Sequence, residues 1–101
     1  KQLQNYLKKI AERYGVLFFK LEAVGQTGFP DVLLAYKGWS VYVELKSEKG
    51  TGVLSKRQVF MLDKLSNNGL EVHVIKNTEA CDKIISHLIN RESKPRYWEA
   101  V

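Results

Sequence analysis

Apolar residues recur at Leu3, Tyr6, Leu7, Ile10, Ala11 and Tyr14 in QLQNYLKKIAERY. Spacings of three and four put them on one face of a helix over residues 2 to 14. Gly15 follows as its C′ residue. VLFFKLEAV, 16 to 24, is β-branched and aromatic and predicts a strand. GQTGFP, 25 to 30, reads as a loop. DVLLAY, 31 to 36, is continuously apolar after Asp31, as in a strand in the middle of a sheet. KGW, 37 to 39, predicts a tight turn into a third strand, SVYVELK, 40 to 46. A connection that short makes the two strands antiparallel. SEKGTGV, 47 to 53, is a glycine-bearing loop.

Ser55 and Gln58 have the S-x-x-Q spacing of a capping box and predict the start of a second long helix. Its apolar stripe reads Val59, Leu62 and Leu65, with Met61 as a further member. NNG, 67 to 69, stops it. LEVHVIK, 70 to 76, predicts a strand, and residues 78 to 90 a last helix with Ile84, Ile85, Leu88 and Ile89 inward. The order is α-β-β-β-α-β-α. The strand–helix–strand step from 40 to 76 predicts a right-handed crossover and a parallel pair. The expected class is therefore α/β, with a mixed, roughly four-stranded sheet flanked by helices. No repeat, linker or low-complexity segment breaks the chain, so residues 1–101 read as one domain.

Strand alternation sorts the candidate chemistry. Val41, Val43 and Leu45 share one face of the third strand; Ser40, Tyr42, Glu44 and Lys46 share the other. Folding the hairpin about 37 to 39 brings Asp31 opposite the 44 to 46 stretch. Two acids and a lysine then converge at one end of the sheet. Two carboxylates can hold a hard divalent cation such as Mg²⁺. Such an ion polarises a phosphate and acidifies a bound water, and a neighbouring lysine stabilises developing negative charge. A plain Glu44–Lys46 ion pair, with Asp31 as a turn residue, is the structural alternative.

Charge adds to this picture. Sixteen Lys and Arg against 11 Asp and Glu leave a net charge of +5, an excess that attracts polyanions. A hydrophobic content of 45% with 27% charged residues describes a globular chain. No apolar run approaches the ~20 residues of a membrane helix. The one cysteine, Cys81, leaves no partner for an internal disulfide and suits a reducing compartment. It reads as a buried thiol. His73 and His87 lack metal-ligand spacing and read as structural. Lys49, Lys56 and Arg57 flank the acids and are candidate phosphate contacts. Lys94, Arg96, Tyr97 and Trp98 mix charge with aromatic rings, which fits a stacking site or a tail packed on a neighbouring subunit. Trp39 either waits at the hairpin turn for a partner or folds back on the sheet.

Pro30-Asp31, twelve intervening residues, and Glu44-Leu45-Lys46 resemble the PD-(D/E)xK nuclease signature. With GFPD, VYVELKSEKG, LSKRQ and the later NNG, the chain resembles the virus-type replication-repair nuclease (VRR-NUC) family over roughly residues 1 to 76. The resemblance implies a restriction-endonuclease-like core and a metal-dependent DNA endonuclease. Asp31, Glu44 and the main-chain carbonyl of Leu45 would ligate Mg²⁺ or Mn²⁺, and Lys46 would be the catalytic lysine. Gln58 falls at the family's helix glutamine, a role that stands beside its capping role. Gly28 would let the backbone pass close to the site or to DNA. Many members carry a glutamate early in the first helix; here that place falls at or before Lys1, and Glu12, the one acid of that helix, sits near its other end.

Stand-alone members resemble Holliday-junction resolvases and are often phage-encoded. The resemblance thus implies a homodimer acting on branched or duplex DNA, structure-selective or simply nicking, with no small-molecule cofactor and no membrane. It also implies a cytoplasmic setting, including that of a phage protein in a bacterial host. Two alternatives remain at this point: a catalytically silent nucleic-acid-binding or assembly module that keeps the nuclease fold, and a nuclease for RNA.

Overall fold

In the computed structural model, three helices and four strands follow in the expected order α-β-β-β-α-β-α. It describes residues 2–22, 27–46, 53–95 and 100. Helix α1 (Gln2–Arg13) ends where the N–H of Val16 bonds to the carbonyl of Ala11 and that of Gly15 to Glu12. This is the Schellman closure, with Gly15 at C′ as expected. It ends the helix before Tyr14, which is 49% exposed and not inward as its spacing suggested. It also claims Val16, so strand β1 is Leu17–Lys20, shorter than the expected 16 to 24.

Strand β2 (Val32–Tyr36) lies between β1 and β3 (Trp39–Leu45), antiparallel to both. Tyr36 pairs with Trp39, so the turn is the two residues Lys37 and Gly38, with Trp39 already in the strand. Their φ values of 48° and 92° match the type I′ geometry that suits the twist of a hairpin. Strand β4 (Glu71–Ile75) pairs parallel with β3, as the crossover required.

One sheet face carries the core. Val32, Leu34, Val41, Val43 and Ile75 pack with Leu7, Ile10 and Ala11 of α1 and with Cys81, Ile84, Ile85 and Leu88 of helix α3 (Thr78–Ile89). Burial raises the Cys81 thiol to about 11, so it stays protonated and inert. Ile89 is only partly buried at the edge of this cluster.

Helix α2 (Lys56–Asn67) lies against β4 on the other face. Met61 and Leu62 are its buried residues, with Gln58 and Leu65 half-buried. The spacing 58, 61, 62, 65 is one helical stripe. Val59, expected inward, is 44% exposed. The first inward position is polar, so an apolar pattern skips it and starts one residue late.

Candidate active site

The hairpin register pairs Val32 with Val43, which sets Asp31 beside Glu44. The N–H of Asp31 donates to the carbonyl of Val43 at 3.0 Å, and the carbonyl of Asp31 accepts from the N–H of Leu21 at 2.8 Å. Asp31 is thus held by strands on both sides. Its own side chain reaches across: Oδ2 accepts the N–H of Leu45 at 2.8 Å. A carboxylate takes a hydrogen bond that a main-chain carbonyl would otherwise take, and this fixes its orientation.

Glu44 points away from the core, by strand alternation, yet only 3% of it is exposed. Its Oε2 accepts from Gln58 Nε2 at 2.8 Å. Its Oε1 is buried with no hydrogen-bond partner. Burial, then the negative charge of Asp31, push its carboxyl from the ordinary value of 4.5 to about 7; the Lys46 ammonium pulls the other way. No ion pair joins Glu44 to Lys46 among the described residues, so the plain surface pair is not formed. Lys46 leaves the strand end half-buried, its N–H bonded to the carbonyl of Ile75 at 2.9 Å.

Gln58 closes the capping box that its spacing predicts, and the same side chain also reaches Glu44. Its N–H donates to Ser55 Oγ at 3.1 Å and its Oε1 accepts the N–H of Ser55 at 2.9 Å, completing the capping box. That geometry leaves Nε2 free to turn to Glu44. Gly28 explains how α2 comes so close. A Cβ there would lie 2.7 Å from the carbonyl oxygen of Arg57 and 3.1 Å from the nitrogen of Gln58. The close approach expected at Gly28 is therefore to the first turn of α2. Pro30 is fully buried beside the site, and Phe29 meets Tyr42 edge to face at 5.7 Å between centroids.

A buried carboxylate oxygen without a partner, next to a second carboxylate, fits a divalent cation: the ion would satisfy Oε1 and relieve the repulsion. No cluster of three or more His, Cys, Asp or Glu suited to a metal occurs among the described residues. Glu12 in particular does not join the pair; it is exposed on α1. Two carboxylates suffice for Mg²⁺, which commonly keeps waters and shares substrate phosphates.

Of the other expected residues, Lys56 and Arg57 are exposed at the start of α2, beside Gln58. Lys49, Arg96, Tyr97 and Trp98 fall outside the described residues. Trp39 folds back: its Nε1 donates to the carbonyl of Glu92 at 2.8 Å, with Arg91 and Lys94 against its ring at 4.3 and 3.9 Å. His73 bonds to Glu71 at 2.8 Å in that same structural cluster.

Among solved structures, one described as "VRR_NUC domain" matches with a TM-score of 0.73 and 30% identity, over 85% of this chain and 92% of its own. The chain belongs to the VRR-NUC family. A second, "VRR_NUC domain protein", shares the fold at a TM-score of 0.72 and 13% identity, covering 91% of this chain and 88% of its own. No protein-family model and no curated protein sequence matches. This VRR-NUC chain is a nuclease-type domain, and its paired acids lie on the sheet face opposite the core. No helix among the described residues is long and apolar enough to cross a membrane.

Sequence reasoning missed one feature on the helix that borders this site. Phe60, on α2, is 63% exposed. Its position two residues after Gln58 was the available signal, since a residue there lies on the opposite side of the helix.

Proposed function

We propose that this VRR-NUC domain is an endonuclease that hydrolyses phosphodiester bonds of DNA with a divalent cation. The observation that supports it most is the buried, unpartnered Oε1 of Glu44 beside Asp31. Asp31, Glu44 and the main-chain carbonyl of Leu45 would hold Mg²⁺ or Mn²⁺. The bound ion supplies charge neutralisation at the phosphate and acidifies a water. Lys46 orients the attacking water and stabilises negative charge on the phosphoryl oxygens. Water forms the new P–O bond, the bond to the leaving sugar oxygen breaks, and the water's proton passes to solvent or to that oxygen. Gln58 keeps Glu44 in the orientation that presents Oε1. Lys49, Lys56 and Arg57 contact phosphates without reading bases.

The substrate is duplex or branched DNA, a Holliday junction included, and the working form is a homodimer whose two sites cut two strands. This part rests on the family's stand-alone members. Incubating a four-way junction and a supercoiled plasmid with Mn²⁺, for the wild type and for Lys46→Ala, tests the reading. Cut products from the wild type alone are expected. DNA binding by both with no product from either would favour the silent module, a reading that draws its support from the absence of a third acid among the described residues. Cleavage of RNA in place of DNA would reassign the substrate.

A further inference from the structure

Helix α2 addresses Glu44 with one side and leaves the other uncovered. Along that outer side run Lys56, Phe60 and Lys64, each four residues from the next, with Arg57 three residues before Phe60. Such spacings put side chains next to one another on a helix. Lys56, Arg57, Val59, Phe60 and Lys64 are all exposed. Asp63 is exposed as well, so the four charges Lys56, Arg57, Asp63 and Lys64 still sum to an excess of two positive. The phenyl ring of Phe60 stands 63% open to water in the middle of this cationic helix face, next to the exposed Val59.

We propose that this face binds an unpaired stretch of the DNA substrate, with Phe60 stacking on a base and Lys56, Arg57 and Lys64 on the flanking phosphates. The inference deepens the nuclease reading and rests on it. The basic residues favour an anionic partner over a neutral or cationic one, and the exposed ring among them offers a stacking surface that suits a nucleobase better than an acidic side chain. A base in a paired stack offers no free face, so the ring discriminates single strands from duplex. The face and the acids share the first turn of α2: Lys56 and Arg57 immediately precede Gln58, which bonds to Glu44 at 2.8 Å from the other side of the helix. A strand held here enters the site beside an unpaired nucleotide, as at a flap or a branch point.

The test is binding of a labelled oligo(dT) and of a duplex of equal length, in EDTA so that nothing is cut. Phe60→Ala should weaken oligo(dT) binding about tenfold and leave duplex affinity within twofold. Lys64→Ala should weaken both and flatten the oligo(dT) salt dependence, by about 0.7 in the slope of log K against log salt. Phe60→Trp should keep oligo(dT) affinity and add indole fluorescence quenched by oligo(dT) but not by duplex. Oligo(dT) affinity unchanged in Phe60→Ala, or equal losses on both ligands, would overturn the proposal. So would an unquenched Phe60→Trp, tighter binding of oligo(rU) than oligo(dT), or sedimentation showing a wild-type dimer that Phe60→Ala splits. None of these readings needs turnover, so a wild type that never cuts DNA would sink the nuclease reading and leave this result standing.

Discussion

Gln58 bonds to Glu44 across the gap between α2 and β3, at 2.8 Å, with the same side chain that caps its own helix. The two ends of one amide serve different ends of the fold. Oε1 closes the capping box and Nε2 fixes the buried acid. Substitutions that separate the two ends should separate stability from chemistry. Gln58→Glu keeps an acceptor for the N–H of Ser55 and loses the donor to Glu44. Gln58→Ala loses both. Gln58→Ala should cost about 1 kcal/mol from the cap alone, lowering Tm by roughly 4–8 °C. Gln58→Glu should retain the cap yet cleave as poorly as Gln58→Ala. Thermal melts and Mn²⁺-dependent cleavage rates on the same preparations check both.

Glu44 makes stability fall with pH when no divalent cation is present. Its folded value of about 7 lies above the ordinary 4.5, so the folded state holds the proton more tightly than the unfolded chain. The stabilisation is complete below pH 4.5 and is lost as pH rises through 7. A shift of that size corresponds to at most about 3 kcal/mol. Urea denaturation in EDTA should show this decline between pH 5 and 8. Glu44→Gln, a neutral side chain that still accepts from Gln58, should abolish it. Mn²⁺ should bind with release of a proton near pH 6, which calorimetry in buffers of different ionisation enthalpy detects.

Gly28→Ala should act at a distance. The new Cβ would press on the main chain of Arg57 and Gln58, and the φ of +84° disfavours any L side chain. A loss of roughly 1–3 kcal/mol is expected, with a larger fractional loss of cleavage than of stability because the first turn of α2 carries Gln58. Chemical denaturation and cleavage rates check the two effects. Gly28→Ser should behave the same way.

Glu71 supports the opposite end of the sheet. Arg91 donates to it twice, at 2.9 and 2.6 Å, and holds its carboxyl down at about 2. Its contribution is present above pH 4.5 and is lost as pH falls through 2, the reverse of Glu44. Arg91→Ala should therefore cost about 2 kcal/mol at pH 7, from the charged pair and the ring of Trp39 it covers. The cost should shrink toward pH 2, and DNA cleavage per folded molecule should be unchanged. Urea titrations at pH 7 and pH 3 measure the difference.

Much of this was legible before the structure, for identifiable reasons. Period-two alternation and a two-residue turn decide a hairpin locally, so Asp31 opposite Glu44 followed from residues within sixteen positions of each other. Ser55 and Gln58 declare a cap within one helical turn. The failures come from longer range. Which stripe of α2 faces the sheet depends on β4, and the inward Gln58 carries no apolar signal, so the apolar spacing points to Val59, one position off. The bond from Gln58 to Glu44 requires knowing how a helix sits on a strand. Trp39 meets a carbonyl 53 residues away, which no local pattern encodes. Tyr14 kept helical spacing past a Schellman closure that had already ended the helix.

A crystal soaked in Mn²⁺ and measured at the manganese absorption edge tests the central claim most directly. One strong anomalous peak at coordination distance from both Glu44 Oε1 and the Asp31 carboxylate, absent in Glu44→Gln, is the predicted result. A saturating soak that leaves the space between those two acids empty, with the carboxyl of Glu44 still unpartnered, would contradict the account.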